Sequence, residues 1–421
     1  MVMTGARFAT RISQLLSFVL LARILSPEGF GAYGVLTSAV FLIGLIGNFG
    51  IRQSTAQLIG SGKLTDGEAG ATALLVWPLV SALGGGALWL IYRDEITLLA
   101  AEQLWALIAA VSAILFLTFL QGVFLGRGDT GQFALAETAP RAIQTVLVVA
   151  LAVIGSLTVG SAMFAFAASF VVLMPYVAYL AFRPSRRRSP RPRMLPAMIG
   201  RGFVFSLSLF LIMLQGRVGL FALHGQFGEA IAGQFFAAQR VSEIFLDLAT
   251  AAGLVLFSDA SRSSNPKAAV QAALGTASVF FVVFAVAGIA IGLLSPLVIR
   301  AALGPGYERA VPALQILGFG LAPVAAARIM NSVVSGVGRP GLSASIAAIG
   351  VPINLAICYV LASRYGAAGA AIGLVVGQSV ACLGYIVLCR FMFDVKFRDV
   401  ASAMQLNSSE VKRRLRRFVR R

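Results

Sequence analysis

Residues 232–253 read AGQFFAAQRVSEIFLDLATAAG, an apolar segment of membrane-spanning length that carries Arg240, Glu243 and Asp247 in its interior. On a helix, steps of three and seven residues put all three charges on one face. Insertion scales set roughly 2.5–3.5 kcal/mol against each such group at a bilayer centre, so the stripe has to face protein or water rather than lipid. That makes it a candidate functional site.

Composition agrees with a membrane setting for this stretch. The chain has 421 residues, 58% of them hydrophobic and 12% charged, with a mean hydropathy of +0.88. Such values belong to a polytopic membrane protein. Met1–Arg7 leads into an apolar run without a small-residue cleavage site, so the first helix is expected to stay as a signal anchor. Cys358, Cys382 and Cys389 all lie in apolar runs, and an odd, clustered set points to core or lipid-facing thiols rather than a disulfide framework.

A net charge of +18 suggests nucleic acid until its location is considered. Six arginines lie in 183–196, and nine Lys/Arg against three acids lie in 394–421, so these two segments hold two thirds of the excess. Basic residues flanking a membrane set orientation and meet anionic lipid, and nucleic acid is not expected as a partner.

Divided at its Gly, Pro and charge clusters, the chain yields about twelve apolar runs of 18–28 residues. Each is able to cross a core of roughly 30 Å. They include 31–51, 159–182, 197–221 and 229–257. With a cytoplasmic N-terminus, the inside connections hold twelve Lys/Arg, among them Arg52, and the outside ones hold four, Arg93, Arg300, Arg309 and Arg364. The bias predicts cytoplasmic N- and C-termini. Segment 183–196, with four prolines among its arginines, reads as a basic cytoplasmic linker without packed structure. It separates an N-terminal six-helix bundle, 1–182, from a C-terminal one, 197–393, and 394–421 follows as a basic cytoplasmic tail. In the tail, Val411, Leu415 and Phe418 share one face of a surface-lying amphipathic helix, if the tail is not simply disordered.

The halves repeat. Arg7 and Arg23 stand 16 residues apart at the start of one half, as do Arg201 and Arg217 in the other. Gly126-Arg127-Gly128 matches Gly336-Val337-Gly338 at an offset of 210, and Gly160 and Tyr176 match Gly369 and Tyr385 at 209. Agreement in order and spacing predicts a parallel repeat with a cavity between the halves. The expected fold is therefore all-α, with about twelve transmembrane helices in two six-helix halves around a central cavity.

The first hairpin, ARILSPEGFGAYGVLTSAVFLIGLIGNFGI over residues 22–51, resembles the opening of the polysaccharide transporter branch of the multidrug/oligosaccharidyl-lipid/polysaccharide exporter superfamily, the Wzx-like flippases. The matching features are a first helix ending in Ala-Arg, a tight Pro-Glu-Gly-Phe-Gly turn and an Asn48-Phe49-Gly50 break. Residues 232–253 also resemble that family's eighth helix. Where family members often have a proline at the end of that helix, this chain has Phe257-Ser258-Asp259. The resemblance implies alternating access and a polyprenyl-pyrophosphate-linked oligosaccharide as cargo, with a polysaccharide polymerase or synthase complex as a partner. It places the chain in the bacterial cytoplasmic membrane. Lipid II flippases of the superfamily typically carry fourteen helices, which disfavours that cargo here.

Enzymatic chemistry finds no support in the residues. One histidine, His224, is present, without an H-E-x-x-H or paired-Cys zinc pattern, and no G-x-x-x-x-G-K-[ST] phosphate loop occurs. The intramembrane polar residues are instead dominated by arginine, with only four lysines among 34 basic residues. Guanidinium forks bind paired phosphate oxygens bidentately and keep their charge in a poor solvent. Candidate substrate-binding residues are Arg11, Gln14, Arg141, Arg217, Arg240, Arg328 and Asn331. Glu137, Glu243 and Asp247 are the candidates for coupling to an H+ or Na+ gradient, and no other cofactor is expected. Blander readings stand beside these: Glu137–Arg141 and Arg240–Glu243 are also spaced as helix salt bridges, and Arg7 and Arg201 sit where side chains snorkel. Gly369, Gly373 and Gly377 read as close helix packing. Rival functions are a cation-coupled drug or metabolite antiporter, favoured by acids in the cavity, and a non-transporting scaffold for polysaccharide synthesis, which needs no buried charge.

Overall fold

Apolar runs punctuated by Gly and Pro produce an all-α chain. The structure, a computed structural model, describes residues 2–93, 101–183, 185, 189–263 and 265–394, and the side chains of these except 2–12 and 201. The tail from 395 on, the side chains of Arg7, Arg11 and Arg201, and linker residues 184 and 186–188 lie outside that description. The helices are α1 (Val2–Ile24), α2 (Ser26–Gly47), α3 (Ile51–Gly60), α4 (Asp66–Tyr92), α5 (Ala101–Arg127), α6 (Thr130–Val153), α7 (Val159–Val171), α8 (Met174–Phe182), α9 (Leu195–Ser261), α10 (Pro266–Leu303), α11 (Ala310–Gly336), α12 (Pro340–Tyr365) and α13 (Ala367–Met392). No strand occurs among the described residues.

Ten stretches among those residues are long and apolar enough to cross a membrane, and α1 adds a shorter apolar helix over Ser13–Ile24. One stretch, Gly202–Ser261, holds 60 residues, about 90 Å of helix, which is far more than one crossing needs. Gly228 breaks it, at φ 74° and ψ −172°. Counted as two crossings, it brings the total with α1 to the twelve spans expected.

Several boundaries differ from expectation. The run 31–51 is not one span: α2 stops at Gly47, Phe49 and Gly50 adopt left-handed conformations, and α3 starts at Ile51. The turn before α2 lies at Leu25-Ser26, and Pro-Glu-Gly-Phe-Gly instead forms the first turns of α2, where Pro27 needs no hydrogen-bonded N–H. Arg52 is consequently a residue of α3 and not a loop cation. The sixth run divides into α7 and α8 ahead of Pro175. The linker is anchored at its far end: Arg191 donates its backbone N–H to Thr72 Oγ1 at 2.8 Å and its guanidinium to Glu68 Oε1 at 2.7 and 3.0 Å. Glu68 is buried and also caps the start of α4, accepting from the Thr65 N–H.

The chain forms two compact units, Met1–Phe210 and Leu211–Arg421. Inside the first, α5 is the central helix and packs on α2, α3, α4 and α7, while α1 runs along α6. Inside the second, α11 packs on α10 and α13, and α13 on α12. Apolar burial drives little association in lipid, so close backbone approach has to supply the attraction. The glycines supply that approach. A Cβ on Gly126 would meet Ile59 of α3 at 2.7 Å, and one on Gly336 would meet the Phe257 carbonyl of α9 at 2.9 Å. A Cβ on Gly288 of α10 would fall on the Gly318 carbonyl of α11, and one on Gly373 of α13 would lie 2.9 Å from Asn354 of α12.

The repeat extends to single hydrogen bonds. α5 ends with Gly128 N–H to Leu125 O and Asp129 N–H to Phe124 O; α11 ends with Gly338 N–H to Ser335 O and Arg339 N–H to Val334 O. These are Schellman-type closures at the same offset of 210, with Gly128 and Gly338 at φ +74° and +80°.

Candidate functional site

The break at Gly228 lets the two arms of α9 fold against each other, which brings together charges far apart in sequence. Arg217 Nη2 lies 3.3 Å from Glu243 Oε1, and Arg240 Nη1 lies 3.1 Å from Glu243 Oε2. Arg217 Nη1 donates to Gln239 Oε1 at 3.0 Å, and Gln239 donates in turn to the Gly216 carbonyl at 2.5 Å. Both guanidiniums stand on Phe236, at 5.8 Å for Arg217 and 4.9 Å for Arg240. Glu243 thus serves two arginines, one oxygen to each.

These groups border a cavity of about 360 Å³ inside the second unit. Arg217, Glu243 and Gln239 face it from α9, Arg328, Asn331 and Ser332 from α11, and Gln378 and Tyr385 from α13, between apolar side chains such as Leu321 and Leu374. Arg328 Nη1 donates to Thr250 Oγ1 at 3.0 Å and is near enough to act electrostatically on both Arg217 and Glu243. Tyr385 donates its hydroxyl to Asn331 Oδ1 at 3.3 Å. A separate buried set fixes the floor: Gln215 donates to the Gly377 carbonyl at 2.9 Å and Asn354 donates to the Gln215 carbonyl at 2.7 Å.

Of the residues singled out from sequence, Arg217, Glu243, Arg328 and Asn331 line this one cavity. Arg240 touches it through Glu243. Asp247, one turn further along α9, is half-buried and outside the lining. Gln14, Glu137 and Arg141 belong to the first unit, on α1 and α6; there the Thr145 hydroxyl bonds to Ser17 Oγ and to the Ser13 and Arg141 carbonyls, tying α1 to α6. Gln144 donates to the Tyr33 hydroxyl at 2.5 Å. Glu137 acts electrostatically on Arg52, whose Nη1 donates to Gln121 Oε1 at 3.3 Å, while Gln121 donates to the Ala136 carbonyl. The side chain of Arg11 is outside the described set.

Sequence reasoning missed Gln239, Thr250 and Gln378, because a neutral amide or hydroxyl inside an apolar run carries little cost to flag it. The Arg217–Glu243 contact was also hidden, since it exists only through the bend at Gly228. Together the arrangement presents guanidinium, amide and hydroxyl donors to a shared volume, with three arginines around one carboxylate. Chemically it is suited to holding an anion with polar substituents.

No family model matches the chain. A stretch of 80 residues, 19% of this chain, is 38% identical to an uncharacterized membrane protein of Methanocaldococcus jannaschii, and the match spans only 16% of that protein's length. Solved structures give broader likenesses. An inward-facing multidrug resistance MATE family transporter of the MOP superfamily superposes with a TM-score of 0.75 at 20% identity, over 91% of this chain and 94% of that one. The lipid II flippase MurJ in an inward closed conformation gives 0.72 at 15% identity, over 96% and 90%. A MOP superfamily transporter from Pyrococcus furiosus, described as having a binding pocket of reverse polarity, gives 0.64 at 17% identity, over 92% and 95%. The fold of this chain is that of the MOP superfamily transporters.

Proposed function

We propose that this chain is a flippase that moves a lipid-linked oligosaccharide with a pyrophosphate head group across the cytoplasmic membrane by alternating access. The observation that carries the reading is the convergence of Arg217 and Arg328, with Arg240 behind Glu243, on one cavity that also offers Gln239, Asn331, Gln378 and Tyr385. Two adjacent phosphates match guanidinium forks, sugars match amides and a tyrosine edge, and the lipid tail stays in the bilayer. A likeness to a lipid II flippase supports the view that the fold accommodates lipid-linked cargo.

A drug antiporter coupled through cavity acids fits less well. Among the described residues the lining holds a single carboxylate, Glu243, and both of its oxygens are engaged by arginines. The basic segments at 183–196 and 394–421 support cytoplasmic termini, where a polysaccharide synthase partner would deliver the cargo.

The test is a proteoliposome assay with a fluorescent polyprenyl-pyrophosphate disaccharide, scored by its accessibility in the outer leaflet. Arg217→Ala and Arg328→Ala are expected to slow translocation at least tenfold, and the Lys variants to keep part of it. Wild-type rates in both Ala variants would sink this reading.

A further inference from the structure

Glu243 stands in an odd place for a cargo site that has to take an anion. A carboxylate within reach of the arginines repels incoming phosphate, and yet it touches both Arg217 and Arg240. Its contacts are long, at 3.3 and 3.1 Å, where tight charge-assisted pairs close to about 2.7–2.9 Å. The Arg191–Glu68 pair of this same chain does reach 2.7 Å. The two pairs differ further in setting, because Glu68 also caps its own helix, whereas Glu243 meets its partners beside a cavity.

We propose that Glu243 is a resident counter-anion, which holds Arg217 and Arg240 while the cavity is empty and yields them to the cargo's pyrophosphate. This rests on the anionic-cargo reading above. Unpaired arginines away from water are costly, and a carboxylate supplied by the protein removes that cost between transport cycles. With it in place, Arg217 and Arg240 share one carboxylate, which leaves that cluster a net +1. Where Glu243 offers one charge to the two guanidiniums, a pyrophosphate diester carries two negative charges and so meets both. Its paired oxygens also suit the Arg217 fork better than one carboxylate oxygen at 3.3 Å does. When the cargo leaves, Glu243 reclaims the arginines, which speeds release. Glu243 therefore acts as a positioning residue and sets affinity in the opposite sense to the arginines it holds.

The experiment titrates inorganic pyrophosphate into the purified full chain in detergent, by calorimetry, for wild type and Glu243→Gln. Wild type is expected to bind, Glu243→Gln to bind at least tenfold more tightly, and Arg217→Ala to lose binding in either background. In proteoliposomes Glu243→Gln should lower KM and kcat together, as expected when release becomes slow. A purely structural role for Glu243 predicts weaker binding instead. Wild-type binding with equal or weaker binding by Glu243→Gln would overturn this inference and leave the anionic-cargo reading standing; no binding by either would overturn both. Should Glu243→Gln fail to fold, Glu243→Asp keeps the charge but withdraws it from Arg217. Its binding should tighten to an intermediate degree, and weaker binding than wild type overturns the inference. A parallel titration with phosphatidylglycerol separates cargo from ordinary lipid. Its single phosphate should gain less than twofold from Glu243→Gln, and an equal gain would assign the site to a phospholipid head group and overturn the pyrophosphate assignment.

Discussion

Arg217 and Glu243 meet at 3.3 Å although one precedes and the other follows Gly228 in a single run of helix. The charges of the cavity therefore depend on the backbone at one glycine. At φ 74° and ψ −172° that residue occupies a region essentially closed to other amino acids.

Gly228→Ala should lower stability by about 1–3 kcal/mol through backbone strain alone, because an added Cβ at that position meets nothing within 4 Å. Thermal unfolding in detergent would measure it. An unchanged midpoint would mean that the bend is held by something other than glycine's freedom.

Gly126→Ala and Gly336→Ala should each destabilise by about 1–3 kcal/mol, since both force a methyl into a neighbouring helix. Gly86→Ala is the control. It lies within α4 with open space around its missing Cβ, and it should stabilise by about 0.5–1 kcal/mol. Equal effects at all three sites would refute the assignment of α5–α3 and α11–α9 contacts to close glycine approach.

Anchoring of the linker can be read by trypsin. Glu68→Gln removes the carboxylate charge that holds the Arg191 guanidinium, so cleavage after Arg193, which unlike Arg191 is not followed by proline, should speed up severalfold while the spans stay intact. The stability change should be modest, about 1 kcal/mol, because the Arg191 side chain is half exposed. Arg193→Gln, at an exposed position, should abolish that cut and so assigns it. A cut at the same rate in Glu68→Gln would show that this end of the linker is held by Thr72 alone.

On the proposed function, Asp247, which lies outside the cavity lining, is the acid proposed for ion coupling, because both oxygens of Glu243 are held by arginines. Asp247→Asn should make translocation insensitive to imposed proton and sodium gradients in proteoliposomes. A wild-type response to both gradients in that variant would remove Asp247 from coupling.

Much of this was readable from the residues, for identifiable reasons. Charges inside apolar runs are rare and expensive, so Arg217, Glu243 and Arg328 announced themselves, neutral Asn331 was found through its place on the Arg328 stripe, and the structure puts all four around one volume. The glycines at 126–128 and 336–338 announced the repeat, because left-handed helix closures leave few alternatives to glycine. What stayed hidden depended on distant contacts. IRQSTAQLIG after Gly50 is too short and too polar to read as a span, so α3 and Arg52 passed for a loop until Gln121 and α5 were found packed against them. Gln14, Glu137 and Arg141 lie in the first unit, the half to which the proline- and arginine-rich segment at 183–196 assigned them.

Gln121 of α5 and Asn331 of α11 stand at the repeat offset of 210 and have diverged in employment. Gln121 is occupied at both ends, accepting from Arg52 and donating to the Ala136 backbone, whereas Asn331 opens onto the cavity. Two positions equivalent by the repeat thus differ in how fully their amides are engaged within the protein. Polar exchanges at position 331 would alter the lining of a cavity, while the same exchanges at 121 are checked first by folding.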